Sequence, residues 1–424
     1  MLSLKYILNN PDSVREALKS RNFDIEFYDN MLKHASDRGK IMFKAQQKRA
    51  KLSSLSKELP KLKDDKEAFA KVKSECEQLK KEVQKYEEKA KKIDAKVQDA
   101  LIRIPNLPMP FVPKGADDRD NVVIATHDKL GRGLISGVLP HYEVAKKLDI
   151  IDLDRAVKLS GSRFVIYKGW GAKLTRALQN FMLDLHDKHG YTEYAVPVLV
   201  KPEILFGTGQ LPKFKEDLFY MNSNDLYLIP TAEVPLTNLY NNEIIDLSKP
   251  IRLTAFTECF RSEAGSGGKD MKGIIRNHQF KKVELVKITN EKDWESEFNE
   301  MLQEAKLVLE ELELPYRELR LCTGDLGFSA RTTIDLEVWL PSEIKYREIS
   351  SVSYMGDFQA RRAMIRYRDE NNEIQYAHTM NGSGLAIDRL VAAILENCQN
   401  SDGSISIPKK LIPYMGCEKI EAQK

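Results

Sequence analysis

Cysteine is scarce. The 424 residues include five, Cys76, Cys259, Cys322, Cys398 and Cys417, and no two form a Cys-x-x-Cys pair. An odd, scattered set gives no disulfide framework and no thiolate zinc site, so no structural zinc is expected. There is no run of about 18 apolar residues to make a membrane span, and residues 1–10 lack the apolar core and cleavage site of a secretory leader. No membrane association is expected, and the chain should be soluble and cytoplasmic. His186-x-x-His189 lacks the adjacent Glu of a metalloprotease helix and reads as a surface pair. Nucleotide fingerprints are missing too. Setting Gly268-Lys269 on a P-loop puts Glu263 where its first Gly belongs and Asp270 where Ser or Thr should stand. Gly207-x-Gly209 meets Pro212 instead of a third glycine.

Net charge is low at +3, but it is unevenly spread. Residues 33–96 hold 20 Lys+Arg against 11 Asp+Glu, and the rest of the chain 46 against 52, so one segment carries the whole positive excess. From Phe69 the positions Phe69, Val72, Cys76, Leu79, Val83, Tyr86, Ala90, Ile93 and Val97 alternate steps of three and four, a heptad seam. The stretch from about 27 to 59 is a looser helix with Met31, Ala35, Met42, Ala45, Leu52, Leu55 and Leu59 inward, and residues 60–66 are the break between the two. The expected form is an antiparallel helical hairpin over about 27–101, roughly 50 Å long at ~1.5 Å per residue. Lys80, Lys81, Lys85, Lys89, Lys91, Lys92 and Lys96 fall off the seam and could meet a phosphate backbone, whereas most such coils are spacers or dimerisation elements. A capped helix at 11–20 precedes the hairpin. Proline and glycine from Pro105 to Gly115 end it, giving an N-terminal domain 1–103, a linker 104–118 and a domain 119–424. A short helix and strand are expected over 140–160, then a long amphipathic helix 172–189 and a strand 191–200 containing Pro197.

Chemistry concentrates at 258–284. Arg261 and Glu263 stand two apart, as do Phe280, Lys282 and Glu284, so each set projects from one face if the backbone is extended. The glycines and charges of 264–276 read as a loop joining two antiparallel strands. A guanidinium, carboxylates and an aromatic ring on one surface suit a nucleotide and an ammonium group, although a salt-bridged surface hairpin has the same spacing.

The literal string shifts the balance toward the nucleotide site. Phe260-Arg261-Ser262-Glu263, the Gly-rich loop, and Arg276 with His278-Gln279-Phe280 closely resemble motif 2 of the class II aminoacyl-tRNA synthetases, seryl-tRNA synthetases in particular. The helix and strand of 169–201, with Pro197, resemble motif 1. His378-Thr-Met-Asn-Gly-Ser-Gly, read as a glycine turn, and the apolar helix after it resemble motif 3. The resemblance implies an α+β fold: a catalytic domain built on an antiparallel β-sheet flanked by helices, preceded by the coiled-coil arm as a tRNA-binding domain.

It further implies that Thr231, Ala232, Glu233, Glu284, Thr379 and Ser383 bind serine. ATP would be held by Arg261, Ser262, Glu263, Arg276, Phe280, Glu348, Ile349, Ser350, Ser351 and Arg389, with Mg²⁺ on Glu348 and Ser351; Arg261, Glu263 and Arg389 would be catalytic. The expected partners are serine, ATP and tRNA(Ser), with a homodimer formed through 169–201. The expected reaction is attachment of serine to tRNA(Ser) through seryl-adenylate, and the sequence leaves open whether selenocysteine tRNA is also serylated. Val352, Tyr354, Met355 and Met380 depart from the family's usual residues, and Asp388, in place of Gly, could pair with Arg389 and misdirect it. Two rivals are weaker. A synthetase-like protein that loads a carrier protein would be expected to lack the basic arm. An RNA-binding scaffold would have no use for Arg261, Glu263, Glu284 and Glu348 together.

Overall fold

The computed structural model describes residues 1–131, 133–265 and 272–421. Two compact units emerge: Leu2–Pro105, and Asn106–Lys424 with Met1.

In the first unit Ile25–Glu58 (α1) and Lys66–Leu101 (α2) pair along their length. Asp24 caps α1 by accepting from the Glu26 and Phe27 amides, and Asp65 caps α2 by accepting from Ala68. The α2 seam is buried or half-buried throughout, and all seven off-seam lysines are exposed. Met31, Ala35 and Ala45 pack inward, but Met42 is 45% exposed; after Gly39 the stripe passes to the half-buried Ile41. Arg38–Asp94, Lys48–Glu82 and Lys51–Glu75 pairs of 2.7–2.8 Å cross between the helices.

The second unit is built on an eight-stranded sheet. In chain order its strands are Val122–His127 (β1), Thr192–Glu193 (β2), Ile251–Phe260 (β3), Gln279–Thr289 (β4), Tyr316–Arg320 (β5), Thr332–Leu340 (β6), Lys345–Gly356 (β7) and His378–Ala386 (β8). Their spatial order is β1-β5-β6-β7-β8-β4-β3-β2, antiparallel at every step except β3–β2 at one edge. The helices that matter here are Trp170–Asp187 (α3), Glu233–Thr237 (α4), Trp294–Glu311 (α5), Phe358–Ala363 (α6) and Ile387–Asn397 (α7). Leu174, Leu178 and Met182 of α3, Met301, Ala305 and Val308 of α5, and Leu390, Val391 and Ile394 of α7 form one core with Val283 and Leu285 of β4, Leu336 of β6 and Val352 of β7. Each such fully buried side chain contributes about 1.5–3 kcal/mol before ordering costs. Because side chains alternate along a strand, Phe280, Lys282 and Glu284 must face the other way. That opposite face carries the cleft.

Several expectations change. From Asn106 onward the stretch expected as a linker is bonded into this unit: the Asn106 side chain donates to the Ser329 and Met355 carbonyls at 2.8 and 2.7 Å, and the Met109 amide to Arg331 O at 2.8 Å. Residues 140–160 form two helices, His141–Lys147 and Leu153–Ser160, with only an isolated bridge from Ile151 to Tyr167 between them. The strand expected over 191–200 is broken. Thr192–Glu193 joins the main sheet, whereas Leu199–Val200 pairs with Leu226–Leu228, and Pro197, which lacks an N–H, lies between. Motif 3 begins with the nine-residue strand β8, not a glycine turn. Its glycines serve packing: a Cβ on Gly384 would lie 2.5 Å from His186 Nε2, and one on Gly382 3.0 Å from Val352. His186 is therefore no surface residue. It is fully buried, shares a 2.9 Å hydrogen bond with Gly384 O, and burial lowers its pKa to about 4.

Candidate active site

A cleft of about 540 Å³ opens on the sheet face away from α3, α5 and α7. A smaller recess of about 70 Å³ adjoins it, and Arg261, Glu263, Arg276, Lys282, Glu348 and Ser383 line both. The antiparallel pair expected from the sequence is present, with Cys259 opposite Phe280 and Glu258 opposite Lys281. However, β3 ends at Phe260, so Arg261 and Glu263 do not share a strand face. Glu263 sits at φ +53°, a left-handed turn, and comes to face Arg276 at 2.7 Å. Residues 266–271 of the Gly-rich loop, with Gly268, Lys269 and Asp270, lie outside the described residues.

At the inner end the wall is polar and tightly bonded. Glu284, 1% exposed, accepts from Lys282 Nζ at 2.6 Å, Thr231 Oγ1 at 3.0 Å and Asn381 Nδ2 at 3.0 Å. Unpaired, a buried carboxylate would be strongly disfavoured; three donors hold this one in place. Glu233, the first residue of α4, lines the cleft beside it, and burial together with the neighbouring Glu284 raises its pKa to about 7. Gln359 donates to Glu233 Oε1 at 2.6 Å.

Toward the opening, the Arg261 guanidinium carbon stands 5.1 Å from the Phe280 ring centroid, and its Nε donates to Pro230 O at 3.3 Å. Arg389, near the start of α7, donates from NH1 to the Glu348 carbonyl, lies 3.6 Å from that residue's carboxylate, and donates from Nε to Ile275 O at 3.3 Å. An Asp388–Arg389 pair, which would have misdirected the arginine, does not form. Successive residues on a helix point about 100° apart, and Asp388 turns into the interior, accepting from Tyr167 Oη at 2.6 Å and the Lys281 amide at 2.7 Å. Arg389 remains on the cleft side.

The sheet register sets Ser351 opposite Asp335 and Glu348 opposite Glu337. Asp335 Oδ1 is buried without a hydrogen-bond partner among the described residues, and burial plus Glu348 pushes its carboxyl well above the usual range. A buried carboxyl oxygen without a partner, beside Glu348 and Ser351, fits a hard divalent cation that prefers oxygen and whose charge would favour the carboxylate form. No group of three or more His, Cys, Asp or Glu that could enclose an ion occurs among the described residues. An ion here would therefore draw further ligands from phosphate or water.

Of the residues expected from the resemblance, Thr231, Glu233, Arg261, Glu263, Arg276, Glu284, Phe280, Glu348, Ile349, Ser351, Ser383 and Arg389 line the cleft or its recess. Four do not. Ser262 Oγ donates to Glu216 O, Ser350 Oγ donates to Ser383 O, Ala232 is fully buried, and the Thr379 hydroxyl donates away from the cleft to Gln359. Asn381, Gln359 and His141 escaped the sequence reading. Asn381 lies two residues from Ser383, an alternation visible only once 378–386 is taken as a strand.

His141 shares a 2.7 Å hydrogen bond with Glu396 Oε1 through Nδ1, and its Nε2 accepts from the Ile274 amide at 3.2 Å. It thereby ties α7 to the end of the 264–276 loop, next to the carbonyl that receives Arg389. Gly273, at φ +81°, is required here, since a Cβ would lie 2.1 Å from that Nε2.

This sheet, with a phosphate-sized recess between two arginines and a carboxylate-lined inner wall, defines a class II tRNA synthetase. Residues 214–398 match the family model of the tRNA synthetase class II core domain (G, H, P, S and T), and residues 1–108 that of the seryl-tRNA synthetase N-terminal domain. The chain belongs to the seryl-tRNA synthetase family. It is 70% identical to the serine-tRNA ligase of Mycoplasmopsis agalactiae, over 99% of this chain and 100% of that one. It is 47% identical to that of Finegoldia magna, again over 99% and 100%. The seryl-tRNA synthetase of Pyrococcus horikoshii, solved in complex with ATP, superposes with TM-score 0.95 at 33% identity, covering both chains fully. That of Naegleria fowleri, in complex with AMP, superposes at 0.88 with 27% identity over 99% and 97% of the two chains.

Proposed function

We infer that this protein is an ATP-dependent serine-tRNA ligase, attaching serine to tRNA(Ser) through a seryl-adenylate. The observation that carries this reading is the continuity of two unlike environments in one cleft: a recess flanked by Arg261 and Arg389, and an inner wall of Glu233, Glu284, Thr231 and Asn381.

The inner wall is suited to a small polar amino acid. Glu233 has one carboxylate oxygen engaged, and Asn381 Oδ1 is buried without a partner among the described residues, leaving acceptors for an ammonium and a hydroxyl. An alanine bound there would leave such groups unpaired, worth on the order of 10⁴ in discrimination against it. Arg261, between the two environments, is placed to hold the α-phosphate where the serine carboxylate attacks, and Phe280 offers its ring to adenine. Arg389 takes the outer phosphates, with Ile275 O and the Glu348 backbone fixing its direction. No protein nucleophile is required, because positioning and charge stabilisation lower this kind of barrier. Mg²⁺ held by Glu348 and Ser351, with Asp335 behind them, would neutralise the phosphate charge as pyrophosphate leaves. In the second half-reaction the terminal ribose hydroxyl of tRNA accepts the seryl group. The exposed lysine face of α2 is the proposed grip on that RNA. Residues 169–201, with the short parallel strand at the sheet edge, are the proposed homodimer contact, and the protein is assigned to the cytoplasm.

Arg261→Ala tests the scheme. Serine-dependent ATP–pyrophosphate exchange should fall at least 100-fold with the thermal midpoint within a few degrees of wild type. An unchanged exchange rate would remove Arg261 from the reaction.

A further inference from the structure

Gln359 lines neither the cleft nor its recess. It sits at the second position of α6, 1% exposed, behind the inner wall of the cleft. Its carboxamide is nonetheless fully employed. Nε2 donates to Glu233 Oε1 at 2.6 Å and to the Thr208 carbonyl at 3.1 Å, and Oε1 accepts from the Thr379 hydroxyl at 2.6 Å. Two acceptors on one side and a hydroxyl on the other fix its orientation, since a flipped amide would set oxygen against oxygen twice.

Glu233 has no second hydrogen bond to its carboxylate among the described residues. Its own side chain could turn about several bonds, and only Gln359 selects which oxygen is tied and which is left for the cleft. The groups facing Glu233 work in opposite directions. Burial and Glu284 on β4 favour its protonated form, while Gln359, then Lys282 on β4 and Arg261 beyond β3, favour the carboxylate. Near neutral pH these nearly balance, so losing one donor tips the group toward the acid.

We propose that Gln359 is a positioning residue for serine activation: by binding Glu233 Oε1 it presents the other oxygen, as a carboxylate, to the amino acid, and so sets both affinity for serine and its pH dependence. This rests on the serine-activation reading of the cleft. The residue touches neither substrate, so its effect should appear in the serine terms alone.

The test is Gln359→Met, which keeps the length and removes every polar atom, with Thr379→Val as a milder companion that frees the carboxamide from the other side. Serine-dependent pyrophosphate exchange is measured from pH 6 to 9 with either substrate varied. In Gln359→Met the KM for serine at pH 7 should rise about 10- to 100-fold, as expected for a hydrogen bond to a charged group, with the KM for ATP within twofold. The acid limb of kcat/KM for serine should move up by about one pH unit, so that raising the pH to 9 recovers about fivefold of the loss and leaves the part due to lost positioning. Thr379→Val should shift the same quantities less. An unmoved acid limb, or serine and ATP constants that worsen together at every pH, would overturn the proposal. If Gln359→Met fails to fold, Thr379→Val decides on the same readouts. Wild-type protein that exchanges pyrophosphate without regard to serine would instead refute the activation reading itself.

Discussion

Removing the His141 imidazole should loosen the ATP side of the cleft from behind. The residue is 2% exposed, and Glu396, its partner, is fully buried. In His141→Ala the Ile274 amide loses its acceptor, a cost of about 1–3 kcal/mol, and Glu396 loses its Nδ1–H donor. Burial works to raise the Glu396 carboxyl, yet hydrogen bonds from His141 and Ser342 hold it below the usual range, so it is a charged group that would be left under-satisfied. Together these losses, an unsatisfied buried amide and a lost hydrogen bond to a charged group, should lower unfolding stability by about 3–5 kcal/mol. The functional effect follows from Ile275 O, one residue beyond Ile274, which receives Arg389 Nε. The KM for ATP in pyrophosphate exchange should rise several-fold while the KM for serine stays near wild type. His141→Gln, whose amide oxygen reaches toward the Nε2 position, should recover much of the ATP constant and little of the stability. Urea unfolding and exchange kinetics on the three proteins check this. An alanine variant within about 0.5 kcal/mol of wild type, with an unchanged ATP constant, would refute the reasoning.

Glu233→Gln should abolish serine-dependent exchange yet stabilise the fold at alkaline pH. The folded-state pKa of about 7 lies above the ordinary 4.5, so this group's favourable contribution is complete below pH 4.5 and is lost as pH rises through 7. At pH 8 the glutamine variant should therefore gain on the order of 3 kcal/mol, and the gain should shrink toward pH 5; thermal melts across that range test the sign. Replacing Lys81, Lys85, Lys92 and Lys96 by Gln should leave exchange without tRNA unchanged. It should also weaken tRNA binding and reduce the slope of log affinity against log salt by up to about 4, read from filter binding at several ionic strengths.

The sequence was most legible where one period governs a long element. The α2 seam sorted Cys76, Leu79 and Val83 inward and the seven lysines outward with no tertiary information, and alternation on β4 set Phe280, Lys282 and Glu284 on one face. Periodicity misled where the backbone leaves a regular form. Arg261 and Glu263 look like strand neighbours, but β3 has already ended and Glu263 takes a left-handed turn. Glycines suggested a turn at 382–384 because the sequence does not show that β8 packs against His186 and Val352. His141 and Gln359 were illegible for another reason. Each acts through a partner more than 100 residues away, Glu396 at a separation of 255 and Glu233 at 126, and nothing local to either marks the pairing. Asp388 could be sorted from Arg389 only by knowing which way α7 faces.

Serine activation is read by incorporation of radiolabelled pyrophosphate into ATP by the purified protein, with each of the standard amino acids supplied in turn. The proposed serine pocket predicts exchange that depends on serine and exceeds that with alanine by several orders of magnitude, because the acceptors of the Glu233, Glu284 and Asn381 wall would bond a hydroxyl as well as an ammonium. Exchange with serine no greater than with alanine or threonine would contradict it.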